Sequence, residues 1–149
     1  MPLPNVGEPA PAFEALDQHG TLHRLADYAG RKVALYFYPK DDTSGCTAQA
    51  CNLRDNHAAL QAAGIQVLGV SIDGAKSHQK FSEKYELPFP LLVDADKQLV
   101  QAYGVWQEKS MYGRKYMGTM RYTFVIDEQG NIEKVITKVD TKNHAAQLL

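Results

Sequence analysis

The stretch Val33-Ala34-Leu35-Tyr36-Phe37-Tyr38-Pro39-Lys40-Asp41-Asp42-Thr43-Ser44-Gly45-Cys46-Thr47-Ala48-Gln49-Ala50-Cys51 decides how the chain is read. Its first six residues are apolar on both faces, as in a central strand covered from both sides. Pro39 ends that run, since its ring removes a ladder donor. From about Thr47 to Ala63 the period becomes helical: Ala50, Leu53, His57 and Leu60 fall at i, i+3, i+7 and i+10. Cys46 lies four residues before Ala50 on the same stripe, where the strand hands over to the helix. In a first helical turn, the unpaired N–H groups and the positive end of the helix dipole both favour a charged sulfur. The thiolate is the reactive form of cysteine. Thiol redox chemistry is therefore the first reading.

Working outward, Phe13–Leu16 and Thr21–Arg24 flank the turn Asp17-Gln18-His19-Gly20 and predict an N-terminal β-hairpin. Gly64 closes the long helix, Gln66–Ser71 predicts a second central strand, and Ala75 to Tyr85 a second helix. Pro88 and Pro90 bracket a break before the short strand Leu91–Val93, and a short helix near Lys97 to Tyr103 follows. Gly104 to Met120 shows no clear period and reads mainly as loop. Tyr122–Ile126, the turn 127–131 and Ile132 to Val139 predict a second strand pair, and Asn143 a cap for a last helix. Strands alternating with helices, then a hairpin and a terminal helix, argue for α/β with a mixed central sheet flanked by helices.

With 149 residues, one domain is expected, spanning residues 1–149. The balance of 16 basic and 17 acidic residues, well interspersed, offers no basic stripe for nucleic acid. The longest apolar run, Val33 to Tyr38, is too short to span a membrane. The N-terminus lacks the basic start and apolar core of a signal peptide, so a reducing, cytoplasmic setting is expected. There, two close cysteines point to catalysis or metal binding more than to a structural bridge.

Cys46 and Cys51 are the only cysteines. A structural zinc site needs four ligands, usually two close pairs, and the histidines supply no second pair; His19 and His23 straddle a predicted turn. A thioredoxin-type dithiol needs its second cysteine three residues on, where Gln49 stands. The bland alternative is two small apolar residues in a helix. On an ideal helix, five residues advance about 7.5 Å and turn about 140°, which separates the two Cα atoms by roughly 8.7 Å. A disulfide tolerates at most about 7 Å, so any bond between these thiols demands local unwinding. Cys51 is displaced toward a flank shared with Arg54, Asp55 and Ala58, which suits a sheltered attacking thiol and an outer one.

The segment Pro39-Lys40-Asp41-Asp42-Thr43-Ser44-Gly45-Cys46-Thr47 resembles the P-x3-T-x2-C loop of the peroxiredoxins. The cysteine five residues on is similar to the bacterioferritin comigratory protein, or Q-type, subfamily. The likeness runs through Gly7–Phe13, Tyr36–Lys40, Leu53–Asp55, Gly104–Trp106, Met117–Arg121 and Phe124–Asp127. Ser44 departs from it, standing where many members have proline, and the chain ends early in the expected last helix.

The resemblance implies a thioredoxin-like fold and a thiol peroxidase of the atypical two-cysteine type. Hydrogen peroxide and organic hydroperoxides would be the substrates and thioredoxin the reductant. No cofactor or metal, no nucleic acid and no membrane would be involved, and the protein would be a monomer. By position, Cys46 resembles the peroxidatic cysteine and Cys51 the resolving one. Thr43 matches the hydroxyl that bonds thiolate and peroxide, Pro39 the shielding proline, and Arg121 the arginine that favours the thiolate and grips the peroxide. His57 reads as a hydrogen-bonded packing residue, and Trp106, Met111, Tyr112 and Tyr116 as packing or loop-covering residues. The competing classes are a thioredoxin-like docking module with idle thiols and a thiol-dependent chaperone or sulfenate sensor whose peroxidase rate is incidental. The joint presence of Thr43, Cys46 and Arg121 speaks against the docking module.

Overall fold

The computed structural model describes residues 2–149. An N-terminal hairpin pairs β1 (Glu14–Leu16) with β2 (Leu22–Arg24). Its turn is held by Asp17, whose Oδ1 accepts the N–H groups of His19 and Thr21 at 2.8 and 3.0 Å. Next come β3 (Lys32–Phe37), α1 (Ser44–Asp55), α2 (His57–Ala62), β4 (Ile65–Ser71) and α3 (Ala75–Tyr85). The chain continues through β5 (Leu91–Val93), α4 (Gln98–Ala102), β6 (Trp106–Met111), β7 (Arg114–Thr119), β8 (Thr123–Ile126), β9 (Ile132–Ile136) and α5 (His144–Leu148).

The central sheet runs β5-β4-β3-β8-β9. β3, β4 and β5 are mutually parallel, whereas β8 is antiparallel to β3 and β9 to β8, giving the mixed sheet of a thioredoxin-like fold. Because β3 is central, its alternate residues enter two different cores. Val33, Leu35 and Phe37 pack with Leu99, Val100 and Tyr103 around α4. Ala34, Tyr36 and Tyr38 pack with Cys46, Ala50 and Leu53 of α1, and Phe81 of α3, on the other face. Gly69 of β4 is bare for a reason: a Cβ there would lie 2.8 Å from Leu91 and 2.9 Å from the Tyr36 ring.

The long helix expected to Ala63 breaks at Asn56, which has φ −108° and ψ 14°. Asn56 donates its side-chain Nδ2 to the carbonyl of Asn52 at 2.8 Å, and the same oxygen accepts the Asn56 backbone N–H at a longer 3.2 Å, so side chain and backbone share one acceptor at the break. At the other end α1 starts three residues earlier than its period suggests, so Cys46 is its third residue.

The segment read as loop contains a two-stranded antiparallel ribbon, β6–β7, with Met111 opposite Arg114. Its two-residue turn places both Tyr112 (φ 53°) and Gly113 (φ 78°) in the left-handed region, the type I′ geometry suited to the twist of a hairpin. Most of the ribbon is exposed, so no buried face prints a period of two on the sequence. Of the residues expected to pack or to cover the loop, Trp106 packs on the core, while Met111, Tyr112 and Tyr116 are exposed on the ribbon. Asn143 likewise sits at the start of α5 without making a side-chain cap. That end is capped from across the fold, by Asn52 Oδ1 accepting the N–H of Ala145 at 2.9 Å.

Candidate active site

Cys46 is 1% exposed and faces the sheet from the first turn of α1. Its sulfur accepts a hydrogen bond from Arg121 Nη2 at 3.3 Å, although 75 residues separate the two in sequence. Arg121 precedes β8, and β8 pairs with β3, whose end leads into the loop before α1; sheet pairing is what delivers the guanidinium. Its other nitrogen, Nη1, donates to Gln49 Oε1 at 2.8 Å. Gln49 is one helical step from Cys46 on the same face and is fully buried, so it fixes the guanidinium plane. The guanidinium and the N-terminal end of α1 thus converge on the one sulfur.

Thr43 is exposed at the N-cap position, and its backbone carbonyl accepts the first helical bond from Thr47 N at 2.8 Å. Its hydroxyl donates to the Lys40 carbonyl at 3.0 Å rather than to the Cys46 sulfur, which the resemblance implies as its partner. Pro39 is half-buried between Tyr38 and that loop. Asp42 takes a left-handed φ of 58° and accepts from Lys84 at 2.8 Å and from the Tyr85 hydroxyl at 2.7 Å. The structure thus gathers Cys46 and Arg121 in direct contact, with Thr43 and Pro39 on the loop that leads to them.

Cys51 is half-buried on the same unbroken helix, and both thiols are free. The ideal-helix separation of about 8.7 Å therefore applies, beyond the roughly 7 Å that a disulfide allows. Past Cys51 the helix is tied down: Asn52 to Ala145, and Arg54 Nη1 to the Tyr85 carbonyl at 2.7 Å.

Several neighbours carry no signal in the linear sequence. Tyr36 has a buried hydroxyl without a partner among the described residues. Burial, then the negative charge of Cys46, pushes its phenol well above the ordinary range, so it keeps its proton. Lys109, on β6, lies over Gly118, where a Cβ would come within 3.1 Å of its stem. Burial first, then Arg121, lowers its pKa, while the Cys46 charge acts the other way. Gln49 Nε2 is also buried without a partner among the described residues. His57, expected to be hydrogen-bonded, opens α2 just after the break at Asn56, and its Nδ1 is buried without a partner among the described residues. Only the fold-back of the β6–β7 hairpin could have revealed Lys109 as a neighbour of this site.

The sequence profile of the AhpC/TSA family matches residues 6–135. Peroxiredoxin Bcp of Bacillus subtilis is 44% identical over 144 residues, covering 97% of this chain and 92% of that one. Peroxiredoxin Bcp of Escherichia coli K12 is 47% identical over 138 residues, covering 93% and 88%. Among solved structures, the Xanthomonas campestris bacterioferritin comigratory protein superposes with a TM-score of 0.89 at 34% identity, over 97% of this chain and 94% of that one. It was solved as trapped intermediate and ligand complexes bearing on alkyl peroxide reduction.

Proposed function

The chain belongs to the AhpC/TSA family, beside relatives that are peroxiredoxins of the Bcp type, and from that premise we propose that Cys46 is the peroxidatic cysteine and Cys51 the resolving one. It is a thiol-dependent peroxidase. The observation that carries the residue roles is the 3.3 Å contact between Arg121 Nη2 and Cys46 Sγ at the start of α1.

In the proposed cycle the Cys46 thiolate attacks one oxygen of a hydroperoxide. An S–O bond forms as the O–O bond breaks, and the departing alkoxide or hydroxide takes up a proton to leave as alcohol or water. The sulfur is oxidised to sulfenic acid and the peroxide reduced. Arg121 and the N–H groups of the first turn offset charge moving onto the departing oxygen, as preorganised donors do at an oxyanion. Thr43 orients the incoming peroxide through its hydroxyl, and Pro39 shields the sulfur from bulk water. The first turn of α1 then unwinds and Cys51 attacks the Cys46 sulfur. The S–S bond forms as the sulfenic oxygen leaves as water. A dithiol reductant, thioredoxin, restores both thiols through a mixed disulfide. This is the atypical two-cysteine cycle, run by a single domain acting as a monomer on hydrogen peroxide and organic hydroperoxides in the cytoplasm. No helix among the described residues is long and apolar enough to cross a membrane.

The test is peroxide consumption coupled to NADPH oxidation through thioredoxin and its reductase. Wild type should turn over and Cys46→Ser should not. Activity that survives Cys46→Ser would remove the assignment, and peroxide reduction that thioredoxin cannot sustain would remove the reductant.

A further inference from the structure

Asp41 lies five residues before Cys46, yet it is 7% exposed. Its Oδ1 accepts the Tyr38 hydroxyl at 2.5 Å; its Oδ2 accepts Ser77 Oγ at 2.7 Å and meets His78 Nδ1 at 2.6 Å. The other ring nitrogen of His78 sits 2.8 Å from the Leu92 carbonyl oxygen. A carbonyl only accepts, so Nε2 carries a proton, and one further proton closes the Nδ1–Oδ2 contact. The two side chains are 0% and 3% exposed, which makes this a buried, fully partnered acid–imidazole pair. The Asp41 backbone N–H donates to Asp73 Oδ2 at 2.8 Å, and the same oxygen accepts Ser71 Oγ at 2.9 Å. One residue of the active loop is thereby tied to the ends of β3 and β4, to α3 and, through His78, to β5.

Among the described residues, the chain on the other side of Cys46 is next anchored by side-chain bonds at Asn52 and Arg54. Between these anchors, residues 43–51 are held by the helix's own bonds, core packing and Arg121. An unwinding confined to that span needs a fixed end upstream, and Asp41 is where the buried bonds converge. Removing one partner of a buried pair leaves the other uncompensated, so loss of His78 would draw Asp41 and the loop outward.

We propose that the buried Asp41–His78 pair is a positioning device for the active loop, the fixed end against which the first turn of α1 folds and unwinds. The proposal rests on the peroxidase reading of Cys46. The pair touches no substrate; it acts through the loop, favouring the folded form that reacts with peroxide over the unwound form that closes the disulfide.

Rapid mixing of His78→Gln and Asp41→Asn with hydrogen peroxide, resolving Cys46 oxidation from disulfide closure, tests this. Oxidation should slow by about tenfold to a hundredfold, the scale on which small misplacements act, while closure keeps its rate or quickens. Both rates falling together in step with a lower melting temperature would mean a merely structural role and overturn the proposal, as would wild-type oxidation rates. If wild-type Cys46 itself fails to react, the peroxidase reading falls, and the pair's role with it. Should the variants not fold, hydrogen exchange on wild type decides. The Asp41 amide should stay protected in the disulfide form while residues 46–51 lose protection, and loss at Asp41 would overturn the proposal.

Discussion

Gly45 is bare where Arg121 passes: a Cβ on it would lie 3.1 Å from the Nη2 that bonds Cys46. Glycine in a first helical turn has a conformational cost, and here the close approach of the guanidinium accounts for it. Gly45→Ala should displace Arg121 by a few tenths of an ångström while raising helix propensity by up to about 1 kcal/mol. Peroxide reaction should slow and the first turn should become harder to unwind, with no loss of melting temperature. An unchanged rate of Cys46 oxidation would show that the guanidinium has slack.

Arg121 makes two divergent bonds, to Cys46 and to Gln49, which a single ammonium cannot copy. Arg121→Lys is expected to lower kcat/KM for peroxide by about a hundredfold to a thousandfold, the usual effect of losing one preorganised donor. Steady-state kinetics check it. A loss smaller than about threefold would remove Arg121 from the reaction.

The two thiols should separate by oxidation product. With Cys51→Ser the first turnover survives, thioredoxin recycling falls, and excess peroxide carries Cys46 on to sulfinic acid. Mass spectrometry locates the product. A stable oxidation product on Cys51 in the wild type would exchange the two labels.

Acid should loosen the C-terminal helix. His144 is fully buried, with Nε2 2.9 Å from the Thr123 hydroxyl and Nδ1 2.7 Å from Gln147 Oε1. Burial lowers its pKa from 6.5, the Gln147 bond partly opposing. A folded pKa below the unfolded one means that the unfolded chain binds more protons between them. The contribution of His144 is thus whole above 6.5 and is lost as pH falls through the folded value. Urea midpoints should fall over that window, and the fall should be shallower in His144→Gln. Equal slopes in both proteins would place the acid sensitivity elsewhere.

Much of the site was legible because its signals are local. An all-apolar run ended by Pro39, a cysteine at a strand-to-helix handover and a stripe through Ala50 and Leu53 each follow from burying one element against its neighbours. The same logic gave α3 with its bounds at Ala75 and Tyr85. It missed β6–β7 because an exposed ribbon buries no face, and it ran the helix through Asn56 because a side chain bonding the backbone leaves the hydrophobic period intact.

The sequence by itself determined the α/β alternation, the first-turn setting of Cys46 and the distance that keeps Cys51 away, since helix geometry depends only on spacing. Tertiary structure alone decided which groups come near the sulfur and the loop. Arg121 arrives because β8 pairs with β3, Lys109 because a ribbon folds back, and His78 because α3 lies beside the loop holding Asp41. Periodicity records which face of an element is buried; it does not record which distant residue covers that face.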